Sequence, residues 1–204
     1  MSKKITIIDY CMGNLYSVQN ALRSIGAEPV VTSDAAVIAQ AEKILLPGVG
    51  AFGDCMANLE KSGLIHVIMD SLHSGKPFLG ICLGMQLLFE GSDEAPGVKG
   101  LGFFKGQVRL LHTELKIPHM GWNKLEYGID CPILRGIGED AYVYFVHSYQ
   151  AVTPSNYLAA SVTYGCQIPA MVYDGNTVYG AQFHPEKSGK TGLQILKNFG
   201  GLVK

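Results

Sequence analysis

Residues 76–90 read KPFLGICLGMQLLFE. A short apolar run, Pro77 to Ile81, meets Cys82, then Leu83 and Gly84, and after them an apolar pattern of helical spacing. Gly80-Ile81-Cys82-Leu83-Gly84 has the form G-x-nucleophile-x-G, in which a strand turns sharply into a helix and presents the central side chain above the sheet. The flanking glycines fit a corner where backbone segments crowd one another and the central residue occupies a strained conformation. The reading predicts strand 77–81 followed by the helix LGMQLLFEGS, 83–92. The partial positive charge at that helix's N-terminus favours a thiolate, and the Leu83 N–H is placed to donate to an oxyanion.

Working outward, the first half of the chain alternates strand-like and helix-like segments. KITIID (4–9), EPVVTS (28–33) and KILLPG (43–48) read as buried strands, with 77–81 as the fourth. Between them lie LYSVQNALRSI, capped by Asn14 and ended by Gly26, a short helix capped by Ser33 or Asp34, and the segments VGAFGDCMANLEKSG and LIHVIMDSLHSG. This alternation predicts an α/β fold: a three-layer open mixed sheet, mostly parallel at its core, with helices on both faces. In the second half, 105–111, 121–127, 141–150, 157–165 and 169–183 are rich in β-branched and aromatic residues and predict antiparallel strands that extend or flank the parallel core. Asp174-Gly175 marks a hairpin, and 188–203 is an amphipathic terminal helix with Ser188 as its cap. No repeat or linker divides residues 1–204, so one domain is expected.

Composition narrows the function classes. Sixteen Lys+Arg against 17 Asp+Glu leave a net charge of -1, with no basic excess for nucleic acid. The apolar runs are too short for a bilayer and the N-terminal MSKKITIIDY lacks a leader's apolar region, so a cytoplasmic protein is expected. The five cysteines, Cys11, Cys55, Cys82, Cys131 and Cys166, are odd in number and lack C-x-x-C spacing. That pattern argues for reduced thiols and against a disulfide framework or zinc site, and outside Cys82 they read as small buried apolar residues.

A cysteine nucleophile needs a base. Of six histidines, His184 is the strongest, because it closes the apolar strand TVYGAQF and opens HPEKS. In an extended segment residues i and i+2 share a side, and Pro185 biases His184 toward that geometry, so Glu186 is expected beside the ring. Cys82, His184 and Glu186 then form a nucleophile, base and orienting carboxylate. The alternative H-x-E zinc reading fails for want of a downstream P-C-x-x-C. Pro47-Gly48-Val49-Gly50, at the same edge, is a glycine-punctuated turn able to supply a second oxyanion N–H. It is neither G-x-G-x-x-G nor a P-loop.

Taken together, PGVGAFG, GICLGMQ and HPEKS resemble the class I, triad-type glutamine amidotransferases. The resemblance implies Cys82, His184 and Glu186 as catalytic residues, with Val49, Gly50 and Leu83 at the oxyanion. It implies that Gly48, Gln86 and the segment His147, Ser148 and Tyr149 hold the glutamine, and that no cofactor or metal is used. Within the family, CLGMQ and IPHMGWN (117–123), joined with HPEKS, are similar to the glutaminase subunits of imidazole glycerol phosphate synthases. That branch implies a heterodimer with a (β/α)8-barrel cyclase, ammonia passing between them, and Met120, Trp122, Asn123 and Lys187 facing the partner. Trp122, the one tryptophan, fits that placement, since Trp and Met are favoured at interface cores. From the residues alone, His119 reads as a satisfied loop histidine and Lys187 as a solvated cation. Another class I amidotransferase subunit, a cysteine hydrolase on the same architecture, or a non-catalytic binding subunit are the alternatives.

Overall fold

The computed structural model describes residues 4–202. Met1–Lys3, within the segment examined for a leader, and Val203, the end of the expected terminal helix, lie outside the described residues. In chain order the elements are β1 (Lys4–Ile8), α1 (Leu15–Ser24), β2 (Glu28–Thr32), α2 (Ala35–Ala39), β3 (Ile44–Gly48), α3 (Phe52–Ser62), α4 (Ile65–His73), β4 (Phe78–Cys82) and α5 (Leu83–Gln86). The second half adds β5 (Gln107–Leu110), β6 (His119–Lys124), β7 (Glu126–Tyr127), β8 (Tyr142–His147), β9 (Tyr149–Val152), β10 (Leu158–Thr163), β11 (Gln167–Tyr173), β12 (Val178–Ala181) and α6 (Gly189–Gly201).

Eight strands form one sheet in the order β2-β1-β3-β4-β12-β11-β10-β7. Pairing is parallel from β2 to β12 and antiparallel from β12 to β7. The expected mixed α/β sheet is therefore present, and β12 joins the parallel core directly beside β4. The alternation of side chains along each strand builds two cores. Ile5, Ile7, Leu45, Leu79 and Ile81 pack with Val18 and Leu22 of α1 and Ile195, Leu196 and Phe199 of α6. Ile8, Ile44, Leu46 and Phe78 turn the other way, onto Ile38 of α2, Phe52 and Leu59 of α3 and Ile68 and Leu72 of α4. Among the described residues no helix is long and apolar enough to cross a membrane.

Local signals behave as their chemistry dictates. Asn14 Oδ1 accepts from Ser17 N at 3.3 Å, Asp34 Oδ1 accepts from Ala36 N at 2.8 Å, and Gly26 closes α1 at φ 76°. The hairpin marked by Asp174-Gly175 joins β11 to β12. Asp174 Oδ1 accepts from both Asn176 N and Val178 N at 2.9 Å, which closes a loop wider than two residues.

Several expectations need correction. The helix after Cys82 is four residues long, not ten. Leu87, Leu88 and Phe89 are buried on all sides, so they offer no solvent face for an amphipathic helix. Their carbonyls are taken by a returning strand of backbone instead: Leu101 N to Leu87 O at 2.8 Å, Phe104 N to Leu88 O at 2.9 Å and Gly102 N to Phe89 O at 3.0 Å. Of the antiparallel segments, β11, β10 and β7 extend the main sheet, as one of the two expected arrangements, and β5–β9 and β6–β8 form separate two-stranded ribbons. Ser188 makes no side-chain cap to α6; its hydroxyl donates to His184 O at 2.6 Å and accepts from Tyr144 N at 2.9 Å. Cys55 and Cys131 are buried as expected, whereas Cys11 is exposed and Cys166 half-buried.

The corner at Cys82 is built by close backbone approach. A Cβ on Gly80 would stand 2.7 Å from Gly84 O and 2.9 Å from Met85 Cα, and one on Gly48 would stand 2.5 Å from Gly84 N. These are backbone contacts that cannot swing aside. Gly80→Ala is therefore expected to lower stability by about 2 kcal/mol or more, as overpacking does, measured by urea unfolding of the purified chain. An unchanged midpoint would show that the corner has slack.

Candidate active site

Cys82 holds φ 55° and ψ -112°, a region that non-glycine residues rarely occupy. This backbone ends β4 and aims the thiol at a cavity of ≈ 270 Å³ lined by Cys82, Leu83, Gln86, Val49, Gly50, Glu94, the segment 146–149 and His184. Cys82 is 8% exposed, so the sulfur is recessed but reachable. The one-turn α5 carries little of the dipole that a longer helix concentrates at its tip, so the expected electropositive helix end is not what charges the site.

The positive charge comes from His184. Its Nδ1 donates to Glu186 Oε1 at 2.7 Å, and the two side chains are 4% and 1% exposed. Burial pulls the imidazole's pKa down. Hydrogen bonding and charge at Cys82 and then Glu186 outweigh it and push the value up to about 10, so the ring rests as an imidazolium beside the sulfur. The way Glu186 reaches the ring differs from the extended i, i+2 geometry expected. His184 itself is extended, but Pro185–Lys187 form a 3-10 turn with Lys187 N donating to His184 O at 3.0 Å. Proline at the first position suits that turn, because its fixed φ is compatible and its missing N–H costs nothing there.

Two polar residues, one behind the sulfur and one on the cavity wall, escaped the sequence reading. Gln182, fully buried, directs Nε2 at Cys82 Sγ across 3.9 Å, and its Oε1 accepts from Gln86 Nε2 at 2.9 Å. Gln86 also donates to Tyr149 O at 3.0 Å, which ties the corner to the segment His147, Ser148 and Tyr149. A glutamine inside the apolar run TVYGAQF was the available signal. Glu94 lines the cavity with Oε2 accepting from Phe52 N at 2.8 Å. It is one of several acids in an irregular loop, and nothing in its neighbourhood sets it apart.

Of the remaining expected site residues, Val49, Gly50 and Leu83 meet on the cavity wall with Gln86, His147, Ser148 and Tyr149. The Val49 carbonyl accepts from the Cys55 thiol at 3.5 Å, and Tyr10 OH donates to Pro47 O at 2.8 Å, so this turn is held from beneath. Gly48 does not line the cavity; it pairs in register with Cys82 and lets β3 approach α5. Met120 and Trp122 are 59% and 52% exposed, and Lys187 is exposed on the turn carrying Glu186. Asn123 is half-buried. Its amide is spent within the chain, on His119 at 2.7 Å and Thr163 O at 3.0 Å. His119 is no loop histidine but a fully buried residue of β6. Among the described residues no group of three or more His, Cys, Asp or Glu is placed to hold a metal ion.

A family model described as Glutamine amidotransferase class-I matches residues 6–201. Over 200 residues, covering 98% of this chain and 95% of the relative in each case, the chain is 52% identical to "Imidazole glycerol phosphate synthase subunit HisH" of Bacillus cereus (strain G9842). It is 48% identical to the protein of the same description from Bacillus cytotoxicus. Among solved structures, it superposes on "Structure of PurLQS from Thermotoga maritima" with a TM-score of 0.77 and 21% identity, covering 98% of both chains. It superposes on "Crystal structure of glutamine amidotransferase" with a TM-score of 0.75 and 17% identity, covering 97% of this chain and 99% of the other. At those identities the two structures show a shared fold.

The His184 pKa is higher folded, at about 10, than its ordinary 6.5. The ion pair's contribution to stability is thus fully present below about pH 6.5 and is lost as pH rises through about 10. Glu186→Gln removes the anion that holds the proton, so the ring should titrate at least about one unit lower, read from its Cε1 proton resonance. A midpoint that does not move would show that Glu186 positions the ring without charging it.

Proposed function

The chain belongs to the class-I glutamine amidotransferases, and we propose that within this family it is the glutaminase subunit of an imidazole glycerol phosphate synthase. The observation that carries the reading is a cysteine on a strained strand-to-helix corner, beside a histidine whose other nitrogen is held by a buried glutamate. The half-identical relatives, described as subunits of that synthase, place the chain in its branch.

The Cys82 thiolate attacks the side-chain amide carbon of glutamine, and the carbonyl oxygen takes up the negative charge. Backbone N–H groups of Leu83 and of the Val49–Gly50 turn stabilise that oxyanion. His184 Nε2–H donates its proton to the amide nitrogen, the C–N bond breaks, and ammonia leaves a γ-glutamyl thioester on Cys82. Water then attacks the thioester carbon while His184 accepts a proton, the C–S bond breaks, and glutamate departs with the sulfur restored. Glu186 keeps the imidazole oriented through both halves and stabilises the ring each time it carries the proton. At the far end of the substrate, the Glu94 carboxylate, fixed by Phe52 N, is the group suited to the α-ammonium.

The partner in this reading is a cytoplasmic (β/α)8-barrel cyclase that receives the ammonia and forms imidazole glycerol phosphate and an aminoimidazole carboxamide ribonucleotide. Met120 and Trp122 supply an exposed anchor of the kind that dominates interfaces, and the exposed Lys187 supplies a charged contact. Lys187 sits on the same turn as Glu186, so a partner gripping it would bear directly on the catalytic histidine.

Glutamate release from glutamine, measured with and without the barrel and its ribonucleotide substrate, tests the reading. Cys82→Ala should lower turnover by at least roughly a thousandfold, as loss of a covalent nucleophile does, and leave association with the barrel within about threefold. Glutaminase activity that survives this change would overturn the assigned nucleophile. Peptide or ester cleavage without glutaminase activity would favour the hydrolase alternative.

A further inference from the structure

Behind the cavity wall, His119 and His147 form a hydrogen-bonded pair that the catalytic steps leave unused. His119 Nδ1 and His147 Nε2 are 3.0 Å apart. The outer nitrogens are also committed. His147 Nδ1 lies 2.8 Å from Tyr149 O, and a carbonyl only accepts, so this nitrogen carries a proton. His119 Nε2 lies 2.7 Å from Asn123 Oδ1, whose orientation is fixed because Asn123 Nδ2 donates to Thr163 O at 3.0 Å. That nitrogen therefore carries a proton too.

Two neutral imidazoles hold two ring protons between them, and both are now spent. The inner nitrogens would face each other as lone pairs in a buried site, which is costly. Moving the His119 proton inward sets its Nε2 against the Asn123 oxygen. Turning the Asn123 amide over sets its oxygen against Thr163 O. Every neutral arrangement leaves one acceptor facing another, and a third proton satisfies all the contacts at once.

The surroundings weigh on both sides. Burial lowers both pKa values, and for His147 the charges of His119 and then of His184 act the same way, against its bond to Tyr149 O. Against this, the His119 ring is stacked between Phe145, with centroids 4.8 Å apart, and Tyr164, at 4.0 Å, and aromatic faces stabilise a cation. Glu186 offsets the charge of His184, and Tyr149 meets the pair with its carbonyl.

We propose that His119 and His147 share one proton beyond those of a neutral pair, and that this buried cation selects a substrate bearing an α-carboxylate. The cavity needs such a charge. Among the described residues no lysine or arginine lines it, and outside the His184–Glu186 pair its ionisable wall residues are Cys82, Glu94, His147 and Tyr149. An amino-acid substrate brings an ammonium for Glu94 and a carboxylate that would otherwise meet only neutral backbone at Ser148 and Tyr149. His119 acts through His147 and is a positioning residue. The inference rests on the glutamine reading of the cavity.

Long-range proton–nitrogen NMR of the full chain, carrying 15N-histidine and free of substrate, tests the pair directly at neutral pH. Three protonated nitrogens among the four of His119 and His147 are expected, and two would overturn the proposal whatever the cavity binds. Recognition is read by calorimetry in the Cys82→Ala chain, with glutamine and with 4-aminobutanamide, which lacks the carboxylate. Adding His119→Phe, which keeps the aromatic stack, should weaken glutamine at least roughly tenfold and 4-aminobutanamide less than about twofold. Equal weakening of both, or of neither, would overturn the recognition role. A chain with three protonated nitrogens that binds neither compound would overturn the glutamine reading and the role built on it. Should His119→Phe not fold, the NMR count on the unmodified chain still decides the pair.

Discussion

The close approach of β3, β4 and α5 is the constraint from which the site follows. Side chains at 48, 80 and 84 would collide with backbone, so glycine at all three lets the turn after β3 press against the corner after β4. The cysteine between them is held at φ 55°, a conformation costing of order 1–3 kcal/mol that the packing around it must sustain. Leu79 and Ile81 on one face and Phe78 and Met85 on the other are essentially inaccessible, and they supply that packing. Strain here is useful because it brings a thiol to the carboxyl end of a parallel sheet, where the crevice between loops can hold a small molecule.

The positive charge beside Cys82 belongs to a side-chain pair and not to a helix end. A four-residue α5 has neither the length nor the aligned peptides to concentrate a macrodipole. The His184–Glu186 bond, almost wholly buried, acts without solvent screening, and its geometry is locked by Ser188, which bridges His184 O and Tyr144 N. A second layer runs from Gln182 through Gln86 to Tyr149 O, satisfying buried amides while joining three separate chain segments around the sulfur. The site is thus held by polar contacts between elements far apart in sequence, on a rigid apolar sheet.

The parallel half was legible because each strand is a short unbroken apolar run and each helix carries its own cap, so local chemistry sufficed. Cys82, His184 and Glu186 were legible for a related reason: the glycines and the proline around them have few other uses. What could not be read was pairing. Nothing in AYVYFVHSYQ says that its strands belong to two ribbons outside the main sheet, because a strand's partner is chosen by segments tens of residues away. The length of α5 was misjudged because LLF continues a helical pattern equally suited to burial on every side. Glu94 was invisible since its position depends on a loop folding back over α3, and the bond from Asn123 to Thr163 was invisible because the two become neighbours only when β6 and β10 meet.

The two faces of β6 follow from strand geometry, and they join the outer surface to the pocket. Successive side chains alternate, so His119 and Asn123 turn inward while Met120 and Trp122 turn to solvent. The inward pair holds His147, and β6 is laddered to β8 from His119↔His147 to Lys124↔Tyr142. Trp122 rests edge-on against Tyr144 of β8, with centroids 5.9 Å apart, and the backbone of Tyr144 both accepts from His184 N and donates to Ser188 Oγ. A body seated on Trp122 therefore presses on a ribbon with two rigid connections inward, one ending at the cavity-wall segment 147–149 and the other at His184. Packed interiors and hydrogen-bond ladders do not absorb such a displacement locally. The same two-stranded ribbon that lies apart from the main sheet is for that reason the element best able to make the chemistry at Cys82 depend on what is bound outside.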